Sequence, residues 1–171
     1  MSTRSIIGSW NEKRRGWRGI YVHSDGYPSG VGASLFQYTQ SEWHSPLFAL
    51  AELILSVKQG FSVFNGLSRE NILEDSYPVA ESPDHYLDTD EDSYDMEYAY
   101  LIDPWNNCLN VLYHHIPIES WQAMNAEEPF TGSMKGHTWL NIGDFSFDET
   151  PPDWKTLDQW RPPKTDQSRH H

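Results

Sequence analysis

The residues best suited to chemistry in this 171-residue chain lie beside its first predicted strand and at its single cysteine. His23, Asp25 and Tyr27 flank a glycine-rich turn, and Asp and His side chains next to such a turn are legitimate acid–base groups. Cys108 supplies a thiol, which acts as a nucleophile when a nearby base or positive charge lowers its pKa. These four residues are the candidate catalytic residues of a small hydrolase or transferase. A buried, inert cysteine is the alternative interpretation of Cys108.

The turn itself runs from Asp25 to Gly32, and its candidate structural residues are Asp25, Gly26, Pro28, Gly30 and Gly32. A Walker-type phosphate loop requires a Lys that this stretch lacks, and the dinucleotide fingerprint requires a third, correctly spaced Gly. The N–H groups at the start of the following helix remain able to face an anion. The pattern favours a tight structural turn, with its glycines at positive φ, over a nucleotide site.

The stretch "YVHSDGYPSGVGASL", followed later by a hairpin that begins "EYAYLID", resembles a group of small uncharacterised proteins from bacteriophages and mobile elements. Those proteins carry an Asp-Gly-Tyr-Pro-x-Gly-Val-Gly turn after their first strand, and residues 25–32 match it. Ser24 and Ala33 depart from the tryptophan and the basic residue that often flank the turn. The resemblance implies a phage-type accessory protein and does not imply a chemistry.

Acidic side chains are the most unusual global feature, since 25 Asp and Glu against 12 Lys and Arg give a formal net charge of −13. No Lys or Arg lies between Arg69 and Lys135, yet 15 of the acids do. This region repels the phosphates of nucleic acid and attracts a basic protein. The predicted partner-binding residues are Asp84, Asp88, Asp90, Glu91, Asp92 and Asp95.

The leading hypothesis is therefore an acidic accessory protein that binds a basic host protein. A specific version of this hypothesis is an anti-defence inhibitor. Its carboxylates would imitate nucleic-acid phosphates and bind Arg or Lys of the host protein. A negative surface that serves solubility alone is the alternative. A third hypothesis is a virion-associated structural protein whose tail aromatics, such as Trp154 and Trp160, dock a neighbouring subunit. The oligomeric state is left open.

The sequence predicts no metal site and no cofactor. Asp88, Asp90 and Asp92 have the spacing of the first calcium-binding positions, but Ser93 stands where that loop needs Gly and Ala99 where it needs Glu. The lone cysteine fits a reducing compartment. No apolar run reaches the roughly 18 residues of a membrane span. These patterns predict a cytoplasmic protein of the bacterial host cell with no membrane partner.

The elements that must position these residues form a predicted α+β fold, an antiparallel sheet of three to five strands with one main helix packed on it. Residues 1–17 are interpreted as a flexible basic arm, residues 18–150 as a single domain with an acidic loop at 68–95, and residues 151–171 as a tail. The predicted strands are 19–24, 96–103, 108–115 and 138–142, and the predicted helices are 33–40 and 45–59. The clearest signal is the hairpin formed by 96–103 and 108–115.

Overall fold

The computed structural model describes residues 3–74, 80–81, 96–115 and 138–162. The six carboxylates for which partner binding is predicted, Asp84 to Asp95, lie outside these ranges. The calcium-like spacing that begins at Asp88 lies largely outside them as well.

A six-stranded mixed sheet forms the centre of the described fold. Its strands are β1 (Arg4–Trp10), β2 (Trp17–Val22), β3 (Ala80–Glu81), β4 (Met96–Asp103), β5 (Cys108–His115) and β6 (Thr138–Ser146). Their order across the sheet is β3-β2-β1-β4-β5-β6, and every neighbouring pair is antiparallel except β1 with β4. The α+β class is confirmed, whereas a purely antiparallel sheet is not, because β1 enters between β2 and β4 in the parallel sense.

Strand β1 corrects the prediction of a flexible basic arm over residues 1–17. Ile6 and Ile7 are both fully buried and lie in the cores on opposite faces of the sheet. Gly8 pairs with Gly19 of β2, and a Cβ on either glycine would collide with the strand opposite. A strand buried on both faces shows no polar alternation, so its apolar pair is easily mistaken for part of a loop.

Three helices cover one face of the sheet, which we call the helical face. They are α1 (Ala33–Ser41), α2 (Leu47–Ser56) and α3 (Trp154–Asp158). Helix α2 lies within the predicted 45–59 segment, where Pro46 directly precedes it and Gly60 follows at φ 84°. The expectation of one main helix was too simple, because α1 has nine residues and α2 has ten.

Apolar side chains are buried on both faces of the sheet. The core on the helical face includes Ile7, Ile20, Val22, Leu35, Phe36, Leu50, Ile54, Tyr100, Leu109 and Val111. The core on the opposite face includes Ile6, Trp17, Tyr21, Ala99, Leu101 and Leu112. Two-sided burial explains why β4 and β5 carry apolar residues at successive positions.

The β4–β5 hairpin forms as predicted, with residues 104–107 in the turn. Strand β6 begins where predicted but runs on to Ser146. Its register against β5 shifts at Val111/Leu112, which face Gly143 and Asn141, so Ile142 is the extra residue of a β-bulge.

Candidate functional site

Polar side chains gather at two places, one near each end of β1. The first group, which we call the turn cluster, is Asp25, Tyr27, Ser29, Tyr100 and Asp158. The second, which we call the arginine cluster, is Arg14, Asp103, Cys108, Asn110 and Asp144. The turn cluster lies beside the start of β1 on the helical face, and the arginine cluster lies at the far end on the opposite face.

Hydrogen bonds within the chain already use the N–H groups that an anion would need at the turn. These donors and their acceptors are Gly26 (Thr3 carbonyl, 2.8 Å), Gly30 (Tyr27 carbonyl, 2.8 Å), Val31 (Asp25 carbonyl, 2.9 Å) and Ser29 (Asp158 Oδ1, 2.8 Å). The Ser29 hydroxyl also donates to Asp158 Oδ2 at 2.5 Å. A carboxylate from α3 therefore takes the negative position at this turn, and the geometry fits a structural role better than phosphate binding.

The glycines of the turn are required for close packing, which corrects the expectation that they adopt positive φ. The residue at positive φ is Asp25, at 58°. A Cβ on Gly30 would collide with the Asp25 carbonyl, and one on Gly32 would press against the rings of Tyr100 and Trp154. Pro28–Gly32 form a π-helical turn that leads directly into α1.

Tyr27 and Asp25 do lie together, as the sequence suggested. The Tyr27 hydroxyl donates to Asp25 Oδ1 at 3.3 Å, and the negative charge of Asp25 raises the pKa of Tyr27. A raised pKa keeps the phenol protonated near neutrality, so it is a poor general base there. His23 turns to another partner, since its Nδ1 lies 2.6 Å from the Tyr21 hydroxyl.

Tyr100 ties the turn to the centre of the sheet. Its hydroxyl donates to the Gly26 carbonyl at 2.6 Å, and its side chain is fully buried. Burial raises the pKa of this phenol well above its usual value. Tyr100 therefore acts here as a neutral hydrogen-bond donor that holds the turn in place.

Arg14 is the centre of the arginine cluster. Its Nε donates to Asp103 Oδ2 at 2.8 Å, and its second terminal nitrogen lies 2.9 Å from Asp144 Oδ1 and 3.4 Å from Cys108 Sγ. Burial would lower the pKa of Arg14, but its hydrogen bonds to Asp144 and Asp103 and their negative charges outweigh burial, and the pKa is raised. The guanidinium also lies 5.9 Å from the centre of the Trp10 ring. One arginine thus joins the β1–β2 loop to three other positions.

Asp103 is a buried carboxylate whose bonds organise the hairpin turn. Its Oδ1 accepts the N–H groups of Trp105 and Asn106 at 3.1 Å each, and its Oδ2 accepts the Asn106 side-chain amide at 2.8 Å. Burial alone would raise the pKa of Asp103, but the bonds from Asn106 and Arg14 outweigh burial and lower it. Asp103 is therefore held as an anion, with both of its oxygens hydrogen-bonded to the hairpin turn or to Arg14.

The β-bulge of β6 completes the arginine cluster. Asn141 and Asp144 are three positions apart and would point to opposite faces of a regular strand. Because Ile142 is bulged out, both reach the buried amide of Asn110, at 2.8 and 2.9 Å. The side-chain oxygen Oδ1 of Asn110 accepts a hydrogen bond from Trp10 Nε1 at 2.9 Å.

The four candidate catalytic residues do not form one site. Cys108 belongs to the arginine cluster, whereas His23, Asp25 and Tyr27 lie at the other end of β1, a strand about 20 Å long. Burial and then the charge of Asp144 raise the pKa of the Cys108 thiol, which is the opposite of what a nucleophile needs. The thiol is buried, as an inert cysteine would be. Its contact with Arg14 lowers the pKa, but burial and the charge of Asp144 outweigh that effect.

The tail aromatics pack on the chain's own surface. The Trp154 ring lies 5.7 Å from Phe36 and 5.8 Å from Phe145, and Trp160 lies 5.8 Å from Tyr113. These contacts hold α3 against the turn cluster and the sheet. Docking of a neighbouring subunit is not needed to explain these two tryptophans.

Sequence reasoning missed Arg14, Asn110 and Asp144. Asp103 alone carried a local signal, because an Asp just before a Pro-x-Asn-Asn turn commonly accepts backbone N–H groups of that turn. Arg14 is 89 positions from Asp103 along the chain, and only the parallel pairing of β1 with β4 brings them together.

Comparisons with other proteins add no further guidance to a site. Among the described residues, none of the helices combines the length and apolar character needed to cross a membrane. In the same ranges there is no group of three or more His, Cys, Asp or Glu side chains placed to hold a metal ion. Searches against protein-family models, curated proteins and solved structures found no match to this chain.

Proposed function

We propose that this chain is a non-enzymatic, phage-type accessory protein whose acidic region, residues 70–97, binds a basic host protein. The observation that carries the proposal is the interval from Arg69 to Lys135, which has 15 acidic and no basic residues between its ends. Carboxylates placed along a surface bind Arg and Lys by charge-assisted hydrogen bonds, as phosphates do. An anti-defence inhibitor that occupies a nucleic-acid channel is the specific form of this function.

The described residues at the two ends of the acidic region support the proposal. Glu70 and Glu74 near its start and Glu97 at its end are all exposed to solvent. Asp103, which lies beyond the region, is bound to Arg14 and is buried. The three described carboxylates at the ends of the acidic region are thus open to a partner, and Arg14 of the N-terminal region is already bound elsewhere.

The two polar clusters favour binding over catalysis. The donors and acceptors of each cluster satisfy one another, and the candidate nucleophile has a raised pKa. This arrangement supports a scaffold role for both clusters. The acidic region, residues 70–97, is then the feature of the chain that best supports a binding function.

Charge neutralisation at defined positions tests the proposal with a labelled peptide of about nine arginines as the probe. We expect the change of Asp88, Asp90, Glu91 and Asp92 to Asn or Gln to raise the Kd of the peptide about tenfold or more in low salt. The affinity of the unaltered chain should also fall steeply with added salt, because each contact is an ion pair. Fluorescence anisotropy across a salt series measures both effects.

A matched control separates local from global charge. Glu12, Glu42, Glu149 and Asp153 are exposed acids outside the basic-free interval, and their change to amides alters the net charge by the same four units. We expect this control to raise the Kd only about twofold, through the weaker overall field. Equal effects of the two variants would contradict the proposal and leave solubility as the role of the acids.

A further inference from the structure

Two aromatic side chains on the helical face are exposed although they contact each other. Phe48 of α2 and Trp105 of the hairpin turn are each 45 % exposed, and their rings meet edge to face with centroids 5.0 Å apart. Large aromatics at the surface are the commonest anchors of protein interfaces. We call this pair the aromatic surface.

Both side chains of the aromatic surface are held by rigid elements. Phe48 belongs to the first turn of α2, a helix whose Leu50 and Ile54 are fully buried in the core. The backbone of Trp105 is fixed by its N–H bond to Asp103 at 3.1 Å. A surface that is already ordered loses little conformational freedom when a partner binds.

Carboxylates border the aromatic surface. Glu52 is exposed one helical turn beyond Phe48. Asp148 is exposed and accepts a bond from Asn107, two residues after Trp105, at 2.7 Å. The nearby cation Arg14 lies on the opposite face, bound to Asp103 and Asp144. The border of this surface is therefore negative.

We propose that the aromatic surface binds a basic amphipathic helix of a partner protein. The apolar side of that helix covers Phe48 and Trp105, and its Lys or Arg side chains meet Glu52 and Asp148. A second copy of the chain fits less well, because a symmetric contact would bring these carboxylates together on two bodies of net charge −13. None of the residues of this surface belongs to the acidic region, residues 70–97.

The probe for this site is a synthetic peptide of about 18 residues. Its Leu and Lys residues are placed so that, in a helix, Leu forms one side and Lys forms the other. We expect Phe48→Ala and Trp105→Ala each to raise its Kd about tenfold, the effect of removing an interface anchor. Glu52→Gln and Asp148→Asn together should raise the Kd about threefold in low salt and leave it unchanged in high salt. Isothermal titration calorimetry measures the affinities, and thermal unfolding verifies that each variant is folded.

Leu53→Ala is the matched control. Leu53 is 46 % exposed on the same helix, but it lies about 140° around the helix axis from Phe48. We expect the Kd of the Leu–Lys peptide for the Leu53→Ala variant to stay within about twofold of its Kd for the unaltered chain. The amide variant of Asp88, Asp90, Glu91 and Asp92 should keep most of its affinity for this peptide, which distinguishes failure here from failure of the proposed function.

Three results would overturn the proposal. The first is an equal loss of affinity in Leu53→Ala and Phe48→Ala, which would mean nonspecific adhesion. The second is equally tight binding of a Leu–Glu peptide of the same pattern. The third is concentration-dependent dimerisation, detected by sedimentation, that Trp105→Ala abolishes, since it would assign the surface to a second copy of this chain.

Discussion

The turn cluster and the arginine cluster are both networks of hydrogen bonds at the ends of one strand, yet they are built differently. In the turn cluster most bonds use at least one backbone group of residues 25–31, and Thr3, Tyr100 and Asp158 contribute from elsewhere in the chain. In the arginine cluster the charges of Arg14, Asp103 and Asp144 come from three separate parts of the chain. Backbone bonds survive the loss of one side chain, whereas a network centred on a buried carboxylate does not survive the loss of that carboxylate.

The two clusters should differ in how much stability is lost when one carboxylate is removed. Asp103 has only 2 % of its side chain exposed, so its removal takes away one of the two carboxylate partners of Arg14 and the acceptor of two turn N–H groups. The carboxylate of Asp158 is partly exposed, so water can replace some of its bonds. The arginine cluster should therefore be the more sensitive of the two.

The largest effect is expected for Asp103→Ala. We expect the free energy of unfolding to fall by about 3 kcal/mol, because an incompletely paired guanidinium and unsatisfied turn N–H groups remain. Urea denaturation in low salt measures the change. A loss below about 1 kcal/mol would mean that the network contributes no more than an exposed ion pair.

The pH dependence of Asp103→Asn sharpens the same comparison. The folded-state pKa of Asp103 is lowered from 3.8, so its stabilisation is present above that pH and is lost as the pH falls through the folded-state pKa. The stability difference between Asp103→Asn and the unaltered chain should therefore shrink below about pH 4. Urea titrations at several pH values measure it, and a difference independent of pH would contradict the assignment.

A smaller effect is expected for Tyr100→Phe in the turn cluster. Loss of the buried bond to the Gly26 carbonyl should cost about 1.5 kcal/mol near neutral pH. The pKa of Tyr100 is raised above 10.0, so its contribution is present below that pH and is lost as the pH rises through the folded-state pKa. Above about pH 10 the variant should therefore lose stability less steeply than the unaltered chain, as measured by alkaline urea titration.

The smallest effect is expected for Ser29→Ala. The Ser29 N–H bond to Asp158 is kept and only the hydroxyl bond is lost, so we expect a cost of about 1 kcal/mol. A double-mutant cycle with Asp158→Asn isolates the coupling between the two side chains. Coupling near zero would mean that the packing of Trp154 and Trp160 holds α3 in place without the carboxylate.

Local sequence patterns predicted the elements whose determinants lie close together in the chain. The β4–β5 hairpin, α1, α2 and the turn at residues 25–32 are all of this kind. Tyr27 and Asp25, two positions apart, also meet as expected. Strand β1 was missed because it is buried on both faces and one of its two neighbours, β4, lies about 90 residues away. The roles of the glycines were misassigned because close packing leaves no local pattern.

The sequence by itself determined the α+β class, the hairpin and the uneven distribution of charge along the chain. Only the tertiary structure decided that the first strand is central and that Cys108 contacts Arg14 instead of the candidate acid–base groups. It also decided that Phe48 and Trp105 form one exposed surface. The physical reason is range, because periodicity and turn chemistry act over a few residues, whereas strand order joins positions about 90 residues apart.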